Sequence, residues 1–171
     1  TWNLNTTAPI NMYQMFQNSN AFNNGGSPSI SGWTTSGVTN MSSMFNGAIA
    51  FNQPLSGWDV SNVTTMKSMF SSSFIFNQNI GNWDVSSVTD MQGMFNEAND
   101  FDNGGSNTIK DWDVSNVTDM INMFRNALDF NQNLSDWCVT LIPTQPSAFD
   151  SGASSWSGSP GTRPQWGTCP P

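Results

Sequence analysis

The sequence predicts an α/β solenoid, a right-handed stack of about five to six short units with a parallel sheet on one face. A nine-residue motif recurs with small changes at residues 58–66, 83–91 and 112–120. All ten methionines stand in Met-x-x-Met pairs. Five tryptophans follow one another at intervals of 25, 25, 29 and 25 residues, at Trp33, Trp58, Trp83, Trp112 and Trp137. One unit is therefore 25 residues long, and longer where an insert occurs.

The first half of each unit alternates between apolar and polar residues, which is typical of a β-strand with one buried face. In the third copy of the unit, Trp83 and Val85 fall on one side, whereas Asn82, Asp84 and Ser86 fall on the other. We expect a short parallel strand here in every copy, with the polar side chains directed toward solvent.

The second half of each unit predicts a short helix. Met91, Met94, Phe95 and Ala98 are spaced i, i+3, i+4 and i+7, which places them on one helical stripe, and Thr89 is suited to cap its first turn. A unit this small cannot bury its own apolar side, but stacked copies can. The pattern I-x-x-W-x-V is similar to L-x-x-L-x-L, so the predicted solenoid is leucine-rich-repeat-like. A β-helix without helices is the alternative.

The whole chain, residues 1–171, is predicted to be a single repeat domain. Residues 1–32 are expected to form an N-terminal cap with a first partial repeat, and residues 33–136 the regular repeats. Residues 137–171 are expected to form a C-terminal cap, because the motif degenerates there and Pro, Ser and Gly become frequent.

The only two cysteines, Cys138 and Cys169, both lie in this C-terminal segment. We predict a disulfide between them, which would close a loop of about 30 residues and stabilise the fold by roughly 3–4 kcal/mol on the chain-entropy model. A disulfide indicates an extracellular or cell-surface protein, whereas two reduced thiols would fit the cytosol. Because the chain begins at Thr1 rather than Met, we expect a mature or excised segment.

The composition narrows the class of function. Twelve acidic and four basic residues give a net charge of −8, which disfavours binding to nucleic acid and to anionic membranes. No run of about 18 apolar residues is present, so insertion into a bilayer is not expected. The sequence has no histidine and Glu97 is its only glutamate, which removes the common catalytic triads and zinc sites. We therefore expect no enzymatic activity.

The segments FNQPLSGWDVSNVTTMKSMF (51–70) and FNQNIGNWDVSSVTDMQGMF (76–95) resemble the repeats of BspA-like leucine-rich-repeat surface proteins. The same repeat is found in mycoplasma lipoproteins of unknown function. The resemblance extends over roughly residues 10–149. It implies a bacterial or horizontally spread protein that is secreted or displayed on a cell surface. Some such relatives are adhesins for host or matrix proteins, and the family supplies no catalytic residues.

Aspartates recur at one place in successive units and are the first candidate binding residues. Asp59, Asp84 and Asp113 are expected to point outward from the sheet, where like charges on adjacent strands repel. The same face would contain Asn82, Ser61, Ser86 and Ser115, with a second aspartate column at Asp111 and Asp136. A Ca²⁺ ion on Asp111, Asp113 and Asp136, backbone N–H groups or a basic partner would offset the charge. The alternative is that each aspartate closes a local turn.

Two Gly-rich inserts are the second candidate. NNGGS at 23–27 and DNGGS at 102–106 fall at the same place in the unit. Given the spacing between strands, we expect them to project from one edge roughly 14 Å apart. Loops on a rigid scaffold often carry binding, although a tolerated insertion explains the pattern equally well. The residues concerned are Asn24, Gly25, Gly26, Asn103, Gly104 and Gly105.

Together these features predict a non-enzymatic extracellular binding or adhesion module. Its exposed sheet face and edge loops would recognise a protein or glycan on a host or neighbouring cell. The alternative is a structural subunit of a surface filament or layer, which contacts copies of itself. No cofactor is expected, and a Ca²⁺ ion is one of the alternatives given above for the aspartates.

Overall fold

The computed structural model describes residues 10–23, 25, 28–156 and 162–170. Two strands, β1 (Ile10–Asn11) and β2 (Val38–Asn40), pair in parallel. Within these ranges no α-helix is formed. Short 3₁₀ helices span Pro28–Gly32, Asn103–Gly105, Asn107–Asp111 and Ser154–Trp156.

Parallel pairing continues beyond the two strands as single bridges between successive repeats. Asn11 of β1 pairs with Asn40 of β2. Asn40 then bridges to Thr65, Thr65 to Asp90, and Asp90 to Asp119. We call these five residues the ladder. Because each of them occupies the same place in its unit, successive repeats lie side by side and in register.

Residues 91–98, for which the sequence predicts a short helix, form consecutive turns instead. Gly93 and Glu97 have φ angles of +61° and +60°, which are incompatible with a right-handed helix. The Gly93 N–H donates to the carbonyl of Ile121 in the next repeat at 2.8 Å. A helix would use these N–H groups internally, whereas here alternate groups join neighbouring repeats.

The predicted strand segment keeps its inside–outside alternation but forms no strand. Trp83 and Val85 are buried, while Asn82 and Asp84 are exposed. Backbone pairing between repeats occurs later in the unit, at the ladder. At this segment side chains make the connection, as when the Asn82 amide donates to the carbonyl of Ser56 at 2.7 Å.

The core consists of two columns of stacked phenylalanine rings that run through the repeats. Corresponding rings of neighbouring repeats have centroids 5.5–6.0 Å apart, and the two rings of one repeat lie 3.9–4.0 Å apart. Nine of the ten methionines are also buried, Met15 being the exception. Complete burial of each such side chain contributes about 1.5–3 kcal/mol, so stacking provides the main stabilisation. The columns comprise Phe45, Phe70, Phe95 and Phe124, and Phe51, Phe76, Phe101 and Phe130.

The C-terminal segment covers the last repeat. The predicted disulfide between Cys138 and Cys169 is formed. Trp156 is fully buried and meets the ring of Phe130 edge-on at 4.9 Å. The guanidinium of Arg163 lies 4.5 Å from the centre of the Trp156 ring. These contacts close the apolar end of the stack.

Candidate binding face

Three Asp–Ser pairs stand on the outer surface of successive repeats. Asp59 and Asp84 are exposed. The Oδ1 atom of Asp84 accepts hydrogen bonds from the N–H and the hydroxyl of Ser86, at 3.1 and 2.6 Å. Asp59 is bound in the same way by Ser61, at 3.1 and 2.6 Å. Each aspartate therefore closes a local turn, which is the alternative that the sequence left open.

The third pair completes the row, since Asp113 Oδ1 accepts the N–H of Ser115 at 3.0 Å. In all three pairs only Oδ1 is engaged. The Oδ2 atoms of Asp59, Asp84 and Asp113 have no hydrogen-bond partner among the described residues. The hydroxyl of Ser86, followed by its N–H, lowers the pKa of Asp84. We call these six residues the Asp–Ser row, which presents one unengaged carboxylate oxygen per repeat.

Asparagine amides connect the repeats beside this row. The Nδ2 group of Asn62 donates to the carbonyl of Ser36 at 2.9 Å, and that of Asn116 to the carbonyl of Ser86 at 2.8 Å. Asn82, a predicted binding residue, makes the equivalent bond across the stack. Its amide nitrogen is therefore structural, and of its side-chain polar atoms only Oδ1 is left for a ligand.

The structure does not gather the carboxylates proposed to bind Ca²⁺. In the described part of the chain, no group of three acidic or cysteine side chains is placed to hold a metal ion. Asp111 instead forms a 2.5 Å ion pair with Lys110, and this hydrogen bond raises the pKa of the lysine. Asp136 accepts the hydroxyl of Ser135 at 3.3 Å. Asp113 accepts the N–H of Ser115, so the three aspartates have separate partners.

The insert at 102–106 is anchored from within. Asn103, predicted as an edge-loop binding residue, is fully buried. Its Oδ1 accepts the N–H of Ile80 at 2.9 Å and its Nδ2 donates to the carbonyl of Ser106 at 2.7 Å. Asn103 therefore holds the loop in place and is not available to a ligand, contrary to the prediction.

The described glycines of the inserts, Gly25, Gly104 and Gly105, are exposed, as an edge loop requires. Gly104 and Gly105 have φ angles of +62° and +74°, a conformation that favours glycine. In the other insert, Gly25 is exposed and has a φ of +59°. Asn24 and Gly26 lie outside the described residues.

A groove of about 310 Å³ lies between the last repeat and the C-terminal segment. One wall consists of residues 118–121, at the end of the ladder, and the other of residues 141–147. Between residues 143 and 146 the backbone pairing of the repeats is interrupted, because Pro143 has no N–H group to donate. We call this space the ladder-end groove.

The repeats and their surface can be compared with known protein families. Residues 10–108 and 105–159 match the family described as "Mycoplasma protein of unknown function, DUF285". The chain belongs to this family. No curated protein and no solved structure matches it. Among the residues described for this DUF285 chain, no helix has the length and apolar character needed to cross a membrane.

A row of side chains that the sequence reasoning missed stabilises the stack of this DUF285 chain. Asn52 Oδ1 accepts the N–H of Asn77 at 3.0 Å and the side-chain amide of Gln78 at 2.8 Å. Asp102 does the same for Asn131 and Gln132, at 3.0 and 2.6 Å. The available signal was the polar residue that directly follows the second Phe of each unit. The complete row is Asn23, Asn52, Asn77 and Asp102.

Proposed function

We propose that this chain is a non-enzymatic extracellular or cell-surface binding module. The observation that carries the proposal is the Asp–Ser row, in which Asp59, Asp84 and Asp113 each present an unengaged Oδ2. The spacing between them is set by a rigid stack of aromatic rings. A repeated, preorganised set of carboxylates suits a repeated ligand, because little conformational entropy is lost on binding.

The ligand is a protein or glycan on a host or neighbouring cell. Carboxylate oxygens accept hydrogen bonds from sugar hydroxyls and pair with lysine or arginine side chains. The lowered pKa of Asp84 keeps this carboxylate ionised to a lower pH than an ordinary aspartate. The exposed glycines of the inserts, Gly104 and Gly105, would add contacts at the edge.

We also propose that the chain belongs with the BspA-like leucine-rich-repeat proteins, as a right-handed solenoid of stacked repeats. The repeat motif, the membership of a repeat-containing family and the in-register ladder support this proposal. The turns at residues 91–98 favour the variant of the stack in which no helices are present.

Binding to glycan and matrix-protein arrays tests the proposed face. We expect the double variant Asp59→Asn/Asp84→Asn to bind its ligand at least about ten-fold more weakly, because two charged contacts are lost. The matched control is Asp100→Asn/Asp129→Asn, which removes the same charge from exposed positions outside the row. Equal binding by both double variants contradicts the proposal.

The alternative function, a self-assembling surface subunit, is favoured by a different observation. Large apolar side chains are exposed at the same corner of two adjacent repeats. They are Ile49, Phe74 and Ile75, which are 38%, 40% and 41% exposed. Apolar surface of this kind is typical of contacts between proteins. Sedimentation velocity over a concentration series distinguishes the functions: a subunit associates and Phe74→Ser prevents this, whereas a binding module stays monomeric.

A further inference from the structure

The same pair of backbone hydrogen bonds joins successive repeats along the ladder, but this pair is missing at the last repeat. The carbonyl of Thr89 accepts the N–H of Thr118 at 2.9 Å, and the N–H of Met91 donates to the carbonyl of Asp119 at 2.9 Å. The two preceding repeats use the same pair of bonds. In the part of the chain that the structure describes, neither the carbonyl of Thr118 nor the N–H of Met120 has a partner.

Proline explains why the chain leaves the carbonyl of Thr118 unpaired. The C-terminal segment keeps the repeat's twelve-residue spacing from Trp137 to Phe149. This spacing puts Pro143 at the place that Thr118 occupies in the preceding repeat. Because proline has no N–H group, it cannot donate to the carbonyl of Thr118. Within the described residues the chain supplies no other donor to this carbonyl.

Pairing resumes immediately after the groove, and this limits what can enter. The N–H groups of Asn122 and Phe124 donate to the carbonyls of Ser147 and Phe149, at 3.0 and 2.8 Å. A whole repeat of a second copy therefore cannot stack on this end. The ladder-end groove is open, and its volume of about 310 Å³ is at the small end of the range for ligand sites.

We propose that the ladder-end groove binds an extended peptide segment of another protein by parallel strand addition. One residue of the peptide donates its N–H to the carbonyl of Thr118. The next residue accepts the N–H of Met120 with its carbonyl. These two bonds repeat the established connection between repeats, so the backbone geometry is already in place.

The walls of the groove specify the side chains of the peptide. Leu141, Ile121 and Pro143 provide apolar contact, and Leu141 is 52% exposed. Asp119 uses Oδ1 to accept the N–H of Ile121 at 2.9 Å, and its Oδ2 has no partner among the described residues. The peptide therefore contains a lysine or arginine beside an apolar residue. The net charge of −8 also favours a basic partner.

The probe is the pentapeptide acetyl-Asn-Val-Thr-Lys-Met-amide, which copies the repeat but carries lysine at the ladder position. We expect amide NMR shifts on titration to be confined to residues 118–121 and 141–147. The matched control peptide is methylated on the threonine nitrogen and lacks the donor for Thr118. It should bind at least about ten-fold more weakly. No shift at millimolar peptide, or equal binding of both peptides, overturns the proposal.

Two protein variants complete the test. Pro143→Thr restores an N–H that can pair with Thr118 and should weaken peptide binding about ten-fold by closing the ladder. Asp119→Asn should remove the preference for lysine over glutamate at the ladder position of the peptide. Unchanged affinity in the first variant, or an unchanged preference in the second, contradicts the proposal. If Pro143→Thr does not fold, the comparison of the probe with the methylated control peptide on the parent protein tests the proposal. Since the Asp–Ser row is intact throughout, these results do not depend on the proposed function.

Discussion

The indole N–H of Trp83 donates a hydrogen bond of 3.1 Å to the backbone carbonyl of Leu55 in the preceding repeat. Three other tryptophans make the same contact, with bonds of 2.8–3.3 Å to a buried carbonyl. Each of these side chains therefore fills the core and joins two repeats at once. This dual role explains why tryptophan, rather than leucine, recurs at the position.

Trp83→Phe tests this hydrogen bond. Phenylalanine keeps an aromatic ring at this position but has no indole N–H. The carbonyl of Leu55 is then buried without its donor, which should destabilise the protein by about 1–3 kcal/mol. Urea denaturation followed by circular dichroism measures the change. The control is Trp33→Phe, because the indole N–H of Trp33 has no partner within the described structure. Equal losses in both variants argue against the role of the bond.

Phe95→Ala tests the stacked columns. Phe95 is fully buried and its ring centroid lies 3.9 Å from that of Phe101. Truncation leaves a cavity and should lower the free energy of unfolding by about 3–5 kcal/mol. In Phe74→Ala, the same truncation at a 40% exposed position should cost much less. Similar denaturation midpoints for the two variants contradict this description of the core.

Ala148→Gly should stabilise the protein. Ala148 has a φ of +50°, a left-handed conformation that costs roughly 1–2 kcal/mol for residues with a Cβ atom. Glycine avoids this cost, although its greater freedom in the unfolded chain reduces the gain. We expect a melting temperature a few degrees higher. Ala50→Gly, at a position without a positive φ, should lower the melting temperature and is the control.

Loss of the disulfide should destabilise the C-terminal segment. Cys138→Ser/Cys169→Ser opens a loop whose ends are 31 residues apart. The expected loss is about 2–4 kcal/mol, measured as the difference between the urea unfolding curves of the variant and the parent. A reducing agent should lower the stability of the parent but leave that of the double variant unchanged. A parent that is insensitive to reduction contradicts the prediction.

The protonation of Asp84, in the Asp–Ser row, should make the stability of the protein depend on pH. Because the hydroxyl and N–H of Ser86 lower the pKa of Asp84 in the folded state, its contribution to stability is present above the unfolded-state pKa. That contribution is lost as the pH falls through the lowered folded-state value. Ser86→Ala should raise the pKa of Asp84, as measured by carboxyl ¹³C NMR titration. Ser61→Ala, in another repeat, should leave it unchanged.

The sequence alone determined which side chains lie inside and where the repeats begin. Trp83, Val85, nine of the ten methionines and the phenylalanines of the two columns are buried as predicted, and Cys138 pairs with Cys169. These features depend on hydrophobicity and on a period that is visible in the chain. Burial follows from them whatever the backbone does in detail, since any stacked arrangement hides the same apolar residues.

Only the tertiary structure decided where the backbone hydrogen bonds go. The spacing of Met91, Met94 and Phe95 fits a helix, yet the N–H of Phe95 donates to Met123 in the next repeat at 2.9 Å. Local spacing cannot distinguish these outcomes, because the competing acceptor lies in a distant part of the chain. The burial of Asn103 and the unpaired backbone groups of Thr118 and Met120 were not predicted for the same reason. Each depends on a partner that only the stacking of repeats brings near.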